Sequence, residues 1–120
     1  MRVLIFALLL STLSSCSVFE SDEEARKVLV LSIAPNLIIT NKTEARIYYF
    51  VVGRETAARI NWAPHTNRDQ SIAKNAIVKI SHRDVYRAET EKEVIVYWWH
   101  AINTIGSIKP SEIQAIVVEL

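Results

Sequence analysis

The sequence predicts an all-β domain, a two-sheet antiparallel sandwich of about seven short strands. Three observations predict it. Residues 27–120 are dense in Val, Ile, Tyr and Trp, which suit a pleated, half-buried surface. Apolar runs are short, five to eight residues, and polar breaks separate them. No stretch sustains a convincing amphipathic helical period.

The elements follow in order. A first strand over 27–34 stops at Pro35, which has no N–H to give a central ladder. A short second run spans 37–40, and Asn41-Lys42-Thr43 makes the turn into a strong strand over 44–52. Gly53-Arg54-Glu55 supplies a hairpin turn, Gly53 being free to take positive φ, and 57–62 returns as the partner strand. A helix over 54–60 competes with that strand, since Glu55, Ala57, Ala58 and Arg59 all favour it. Ala63-Pro64 ends either one, and 65–69 is a polar loop. Residues 70–72 and 76–81 read as two short strands about a Lys74-Asn75 turn. The polar stretch 82–92 is long enough to cross between sheets. Residues 93–101 form the densest strand, apolar on both faces, and 103–110 is a turn region with Gly106-Ser107 at its tip. A last strand covers 113–120.

Ahead of the domain lies a leader. Met1-Arg2 is a short positive region, and Val3 to Leu13 is the apolar core of a secretory signal. A spanning helix needs about 20 apolar residues. This run is broken by Ser11 and Thr12 and turns polar at Ser14. It ends Leu13-Ser14-Ser15-Cys16, on the one cysteine of the chain. The tetrapeptide resembles the lipobox of bacterial lipoproteins. The resemblance implies cleavage between Ser15 and Cys16, a diacylglyceryl thioether on the Cys16 sulfur, and acylation (palmitate or a similar chain) of the new amino group. Two or three chains hold a protein durably on a membrane, whereas one holds reversibly. In Gram-negative lipoproteins Ser17, rather than Asp, at the next position implies the outer membrane. Residues 17–24 are acidic and aperiodic and read as a solvated tether. The expected organisation is a signal peptide over 1–15, lipidated cysteine and tether over 16–26, and a sandwich over 27–120.

The sandwich itself resembles the immunoglobulin-like domains of cell-envelope proteins, without the disulfide that crosses the sheets in antibodies. It also resembles small bacterial envelope lipoproteins that carry a Tyr-Trp-Trp-His stretch late in such a domain. That likeness implies no activity.

Without residues 1–15 the chain has 105 residues, one small domain that must stand without disulfides. Loss of Arg2 with the leader leaves 13 basic and 13 acidic side chains, which argues against nucleic acid as a partner. His65, His82 and His100 lack metal-ligand spacing, so no metal or other cofactor is expected. No Gly-x-Ser-x-Gly elbow is present, and two glycines cannot build a phosphate loop. Glu91 and Glu93 share a strand face and are expected in water. Arg46, Arg54, Arg59, Lys79, Arg83 and Arg87 read as solvated strand edges that block edge-to-edge pairing, with an anionic-lipid patch as the other reading. No catalytic residue is expected.

Tyr97-Trp98-Trp99-His100 is the candidate binding stretch. Side chains alternate along a strand, so the two tryptophans point to opposite faces. Only one face of a sheet meets a sandwich core. Trp98 is expected inward, and Tyr97 and Trp99 are expected to form an outer aromatic strip for a protein partner or a sugar ring. Cover by the chain's own loops is the other reading. Together these readings point to a lipid-anchored envelope module that binds another envelope protein. Carbohydrate or peptidoglycan binding is the alternative.

Overall fold

The computed structural model describes residues 24–120. The leader, Ser15, Cys16 and most of the acidic tether therefore lie outside the described residues. Within them the chain is an antiparallel two-sheet sandwich. One sheet has the order β1-β2-β5, from Val28–Ile33, Asn36–Asn41 and Ile77–Ser81. The other has the order β4-β3-β6-β9, from Ser71–Ile72, Ile47–Gly53, Glu93–Trp99 and Gln114–Glu119. These seven strands match the expected number. Compared with an antibody constant domain, the fourth strand pairs with the second sheet rather than the first. A separate hairpin, β7 (Ala101–Thr104) and β8 (Ser107–Pro110), stands between β6 and β9. No helix among the described residues is long and apolar enough to cross a membrane.

Alternation explains the core. Leu37 and Ile39 of β2 face Ile47 and Val51 of β3, Val94, Val96 and Trp98 of β6, and Ile72 of β4. Val28 closes this cluster from β1, and Val85 closes it from the crossing segment. Asn41 is wholly buried at the end of β2, a costly position for an amide unless every partner is present. They are present. Its Nδ2 donates to the carbonyls of Ala45 and Ile72, both at 2.9 Å. Its Oδ1 accepts from Thr43 N at 2.9 Å and Thr43 Oγ1 at 2.6 Å. The residue expected simply to turn the chain thus joins both sheets.

Three expectations need correction. Residues 57–62 are not a strand. Arg54–Ala57 is a single helical turn, α1, and the chain from 58 to 67 runs irregularly across the outer face of the second sheet. Gly53 takes no positive φ; its angles are −57° and 143°. Glycine is required there because a Cβ would land on the Glu91 carboxylate. The strand expected over 93–101 ends at Trp99, and the turn region 103–110 belongs to the β7–β8 hairpin. Its tip is Ile105-Gly106, with φ of 43° and 75°. Thr104 pairs with Ser107 around that two-residue loop. Two positive φ values in such a loop mark the turn in which Asn-Gly is preferred. A β-branched residue suits it poorly, at a cost of about 1–2 kcal/mol.

Replacing Ile105 by Asn is therefore expected to raise stability by about 1 kcal/mol. Urea midpoints compared at equal m-value check this. An unchanged or lowered midpoint contradicts it.

Candidate functional site

The strand β6 places Trp98 and Trp99 back to back, and both are buried. Trp98 enters the inter-sheet core, as expected. Trp99 lies on the outer face, where Tyr48 is its register partner on β3, and Phe50 pairs with Tyr97. This strip is not an open platform. Trp62, carried by the irregular segment, lies over it with ring centroids 4.9 Å from Phe50, 4.6 Å from Tyr97 and 5.9 Å from Trp99. His65 meets Trp99 edge-on at 5.1 Å, and Trp99 Nε1 donates to the His65 carbonyl at 2.7 Å. The His65 ring is locked in turn. Its Nδ1 accepts from Asn67 N and its Nε2 donates to the Tyr49 carbonyl, both at 3.1 Å. As an exposed binding strip, Tyr97 and Trp99 are thus corrected: Trp99 is fully covered, and Tyr97 is half-buried under Trp62.

The cover is fastened from below by Glu91, expected in water but buried. Its carboxylate accepts from Glu55 N at 2.6 Å, Thr56 N at 2.9 Å, the Thr56 hydroxyl, and Ala88 N at 2.9 Å. It caps the N-terminus of α1 from 35 residues away in sequence. The Thr56 hydroxyl, followed by these backbone donors, holds its pKa down at about 2. A hollow of about 260 Å³ beside it also borders Arg54, Glu93 and Glu119. With its oxygens turned to N–H donors, Glu91 has no proton to lend at neutral pH. Glu93 is exposed and pairs with Arg54 at 3.3 Å.

The histidines do not converge. His65 sits on the aromatic cover, and His82 Nε2 lies 3.2 Å from Ser32 Oγ on the first sheet. His100 lies between the Arg46 carbonyl at 3.1 Å and the Glu24 carboxylate at 3.2 Å. Among the described residues no group of three His, Cys, Asp or Glu side chains is placed to hold a metal. The basic residues also scatter. Arg46 donates to Ser71 Oγ, and Arg87 donates to the carbonyls of Ala88, Glu89 and Glu91. Arg59 approaches Glu55 at 4.0 Å. Lys79 lies exposed on the outer face of the first sheet.

The open surface lies on that face. Val-Leu-Val-Leu-Ser-Ile of β1 buries Val28 but leaves Leu29, Leu31 and Ile33 51–57% exposed. In register, Leu31 lies opposite Ile38, and Leu29 opposite Thr40. Thr40 lies opposite Ile77, which is 60% exposed. Lys79 lies opposite Ile38 and Asn36 opposite Ile33, so the result is an aliphatic patch about 13 Å long and about 10 Å wide, as strand rise and spacing dictate, with polar side chains among its members. Its sequence signal is a strand apolar at consecutive positions, the same signal that singled out 93–101. No protein-family model, curated protein or solved structure matches this chain.

The Glu91 cage predicts a pH dependence. Its folded pKa of about 2 lies below the ordinary 4.5, so its stabilisation is complete above pH 4.5 and is lost as pH falls towards 2. Glu91→Gln should be less stable at pH 7 and show a flatter acid limb over that window. Urea midpoints at pH 7, 4 and 3 would check both; parallel curves for the two proteins would contradict the assignment.

Proposed function

We propose that this chain is a lipid-anchored envelope protein whose sandwich is a non-catalytic interaction module, and that it docks another envelope protein through the outer face of β1-β2-β5. The lipobox resemblance at Leu13-Ser14-Ser15-Cys16 supports the anchor. The observation that carries the module is the in-register patch of Leu29, Leu31, Ile33 and Ile77. Monomeric proteins rarely leave large aliphatic side chains grouped on one face unless something covers them.

The chemistry of the patch favours protein over glycan. Sugars stack on aromatic faces, and Tyr97 and Trp99, the rings of the expected strip, lie under Trp62. Leu and Ile offer area and shape without a ring, and Thr40, Lys79 and Asn36 stand among them in register. A stable homodimer buries about 800 Å² on each partner, more than this patch supplies. A different protein, engaged in a smaller or transient contact, is the better fit.

A photocrosslinker at position 31 in intact cells, with a matched probe at position 99, tests the reading. Capture of a discrete envelope protein is expected from position 31 and not from position 99. Leu29→Glu should weaken binding of that protein by about 2 kcal/mol, the worth of one buried leucine, with the circular dichroism spectrum unchanged. Undiminished capture in that variant, or capture from position 99 alone, overturns the proposal.

A further inference from the structure

The β7–β8 hairpin has no place in the sandwich and no role in the docking face. It leaves the end of the second sheet where β6 stops and β9 begins. Its base is closed by His100 and Ser111. Ser111 N donates to the His100 carbonyl at 2.7 Å, and Ser111 Oγ accepts from His100 N at 2.8 Å. Beyond that base every residue from Ile102 to Lys109 is exposed. Ile102 is 50% exposed, Ile108 61%, and Ile105 fully. Ile102 pairs with Lys109, and Asn103 with Ile108. One isoleucine therefore lies on each face of the ribbon and the third at its tip. No single flat partner covers all three, whereas a fluid lipid surface surrounds a tip from every side.

A second observation puts that surface within reach. Glu24, the first described residue, meets His100 Nε2 at the base of this hairpin, at 3.2 Å. The chain thus enters the domain at the end from which the hairpin projects. Cys16 is eight residues upstream of Glu24, and an extended segment of that length spans at most roughly 28 Å. From His100 to the tip is five residues, or about 17 Å of strand. An anchor at Cys16 leaves the hairpin tip within reach of the surface in which the anchor sits. Charge agrees. Residues 101–110 carry Lys109 as their one charge, a cation suited to lipid phosphates. The poor fit of Ile105 to its positive φ is also accounted for, since the side chain that suits the turn best would not enter lipid.

We propose that the β7–β8 hairpin is a membrane-contact element: Ile105, flanked by Ile102 and Ile108, inserts into the headgroup and upper acyl region of the membrane that holds Cys16. It acts as a second foot, fixing the sandwich relative to the bilayer. This rests on the lipid-anchor reading above and adds an orientation to it.

The test uses the full lipoprotein in vesicles of phosphatidylethanolamine and phosphatidylglycerol. A nitroxide is attached through Ile105→Cys, and through Leu31→Cys as a control. On vesicles the label at 105 should lose several-fold of its access to an aqueous relaxation agent and gain access to dissolved oxygen. The label at 31 should change little. Equal aqueous access at both positions, with Cys16 shown by mass spectrometry to be acylated, overturns the hairpin proposal alone. An unmodified Cys16 thiol overturns the anchor and the hairpin proposal together. Shielding of 105 in cells but not on vesicles identifies a protein contact instead and also overturns the proposal.

Discussion

The rest of the structure depends on one constraint: β6 carries large apolar side chains on both faces, and both must be kept from water. Trp98, Val96 and Val94 on one face are answered by the opposing sheet. Trp99 and Tyr97 on the other face have no second sheet to meet. The chain covers them with its own residues 58–67, a stretch with little regular hydrogen bonding of its own. An irregular segment laid on a sheet has backbone polar groups to satisfy. Trp99 Nε1 and the His65 ring satisfy some of them, so the covered residues also hold the cover. The sandwich is effectively three layers deep on that side.

Glu91 is what makes the cover start in the right place. The chain must leave β3 at Gly53 and turn at once, and α1 makes that turn. A helix of four residues contributes little stability by itself. Its free N–H groups are taken instead by a carboxylate from the far side of the 82–92 crossing segment. Gly53 N also donates to the Tyr86 carbonyl at 2.8 Å. The two irregular segments are thereby fastened to each other and to the edge of the core. The anion, the glycine that leaves room for it and the tryptophan lid form one mechanical unit.

Much of this was legible in the sequence where burial is periodic. β1, β2, β5 and β9 follow from apolar runs bounded by Pro35, the Asn41-Lys42-Thr43 turn and Lys74-Asn75, because alternation and turn chemistry are local. The inward Trp98 follows from the same alternation. Gly53 was misread because glycine serves two needs, positive φ and the absence of Cβ, and only the position of Glu91 distinguishes them. Cover by the chain's own loops was one of two readings of that strip, but the segment that supplies it was not legible, because its grip is a carbonyl 34 residues from the indole it receives. The binding strip at Tyr97 and Trp99 fell for that reason. The open face at Leu29, Leu31 and Ile33 was not read from the sequence, although β1, like β6, is apolar at consecutive positions. The structure covers the outer face of β3 and β6 and leaves that of β1 open.

The central claim is that Trp99, on the outer face of β6, is interior. Hydrogen exchange of the Trp99 indole proton, followed by NMR in the folded domain, tests it most directly. The proton should exchange far more slowly than that of a free indole, because it is buried and its partner is the carbonyl of the lid itself. Exchange at the rate of a free indole, under conditions where the β3–β6 amides remain protected, would contradict it.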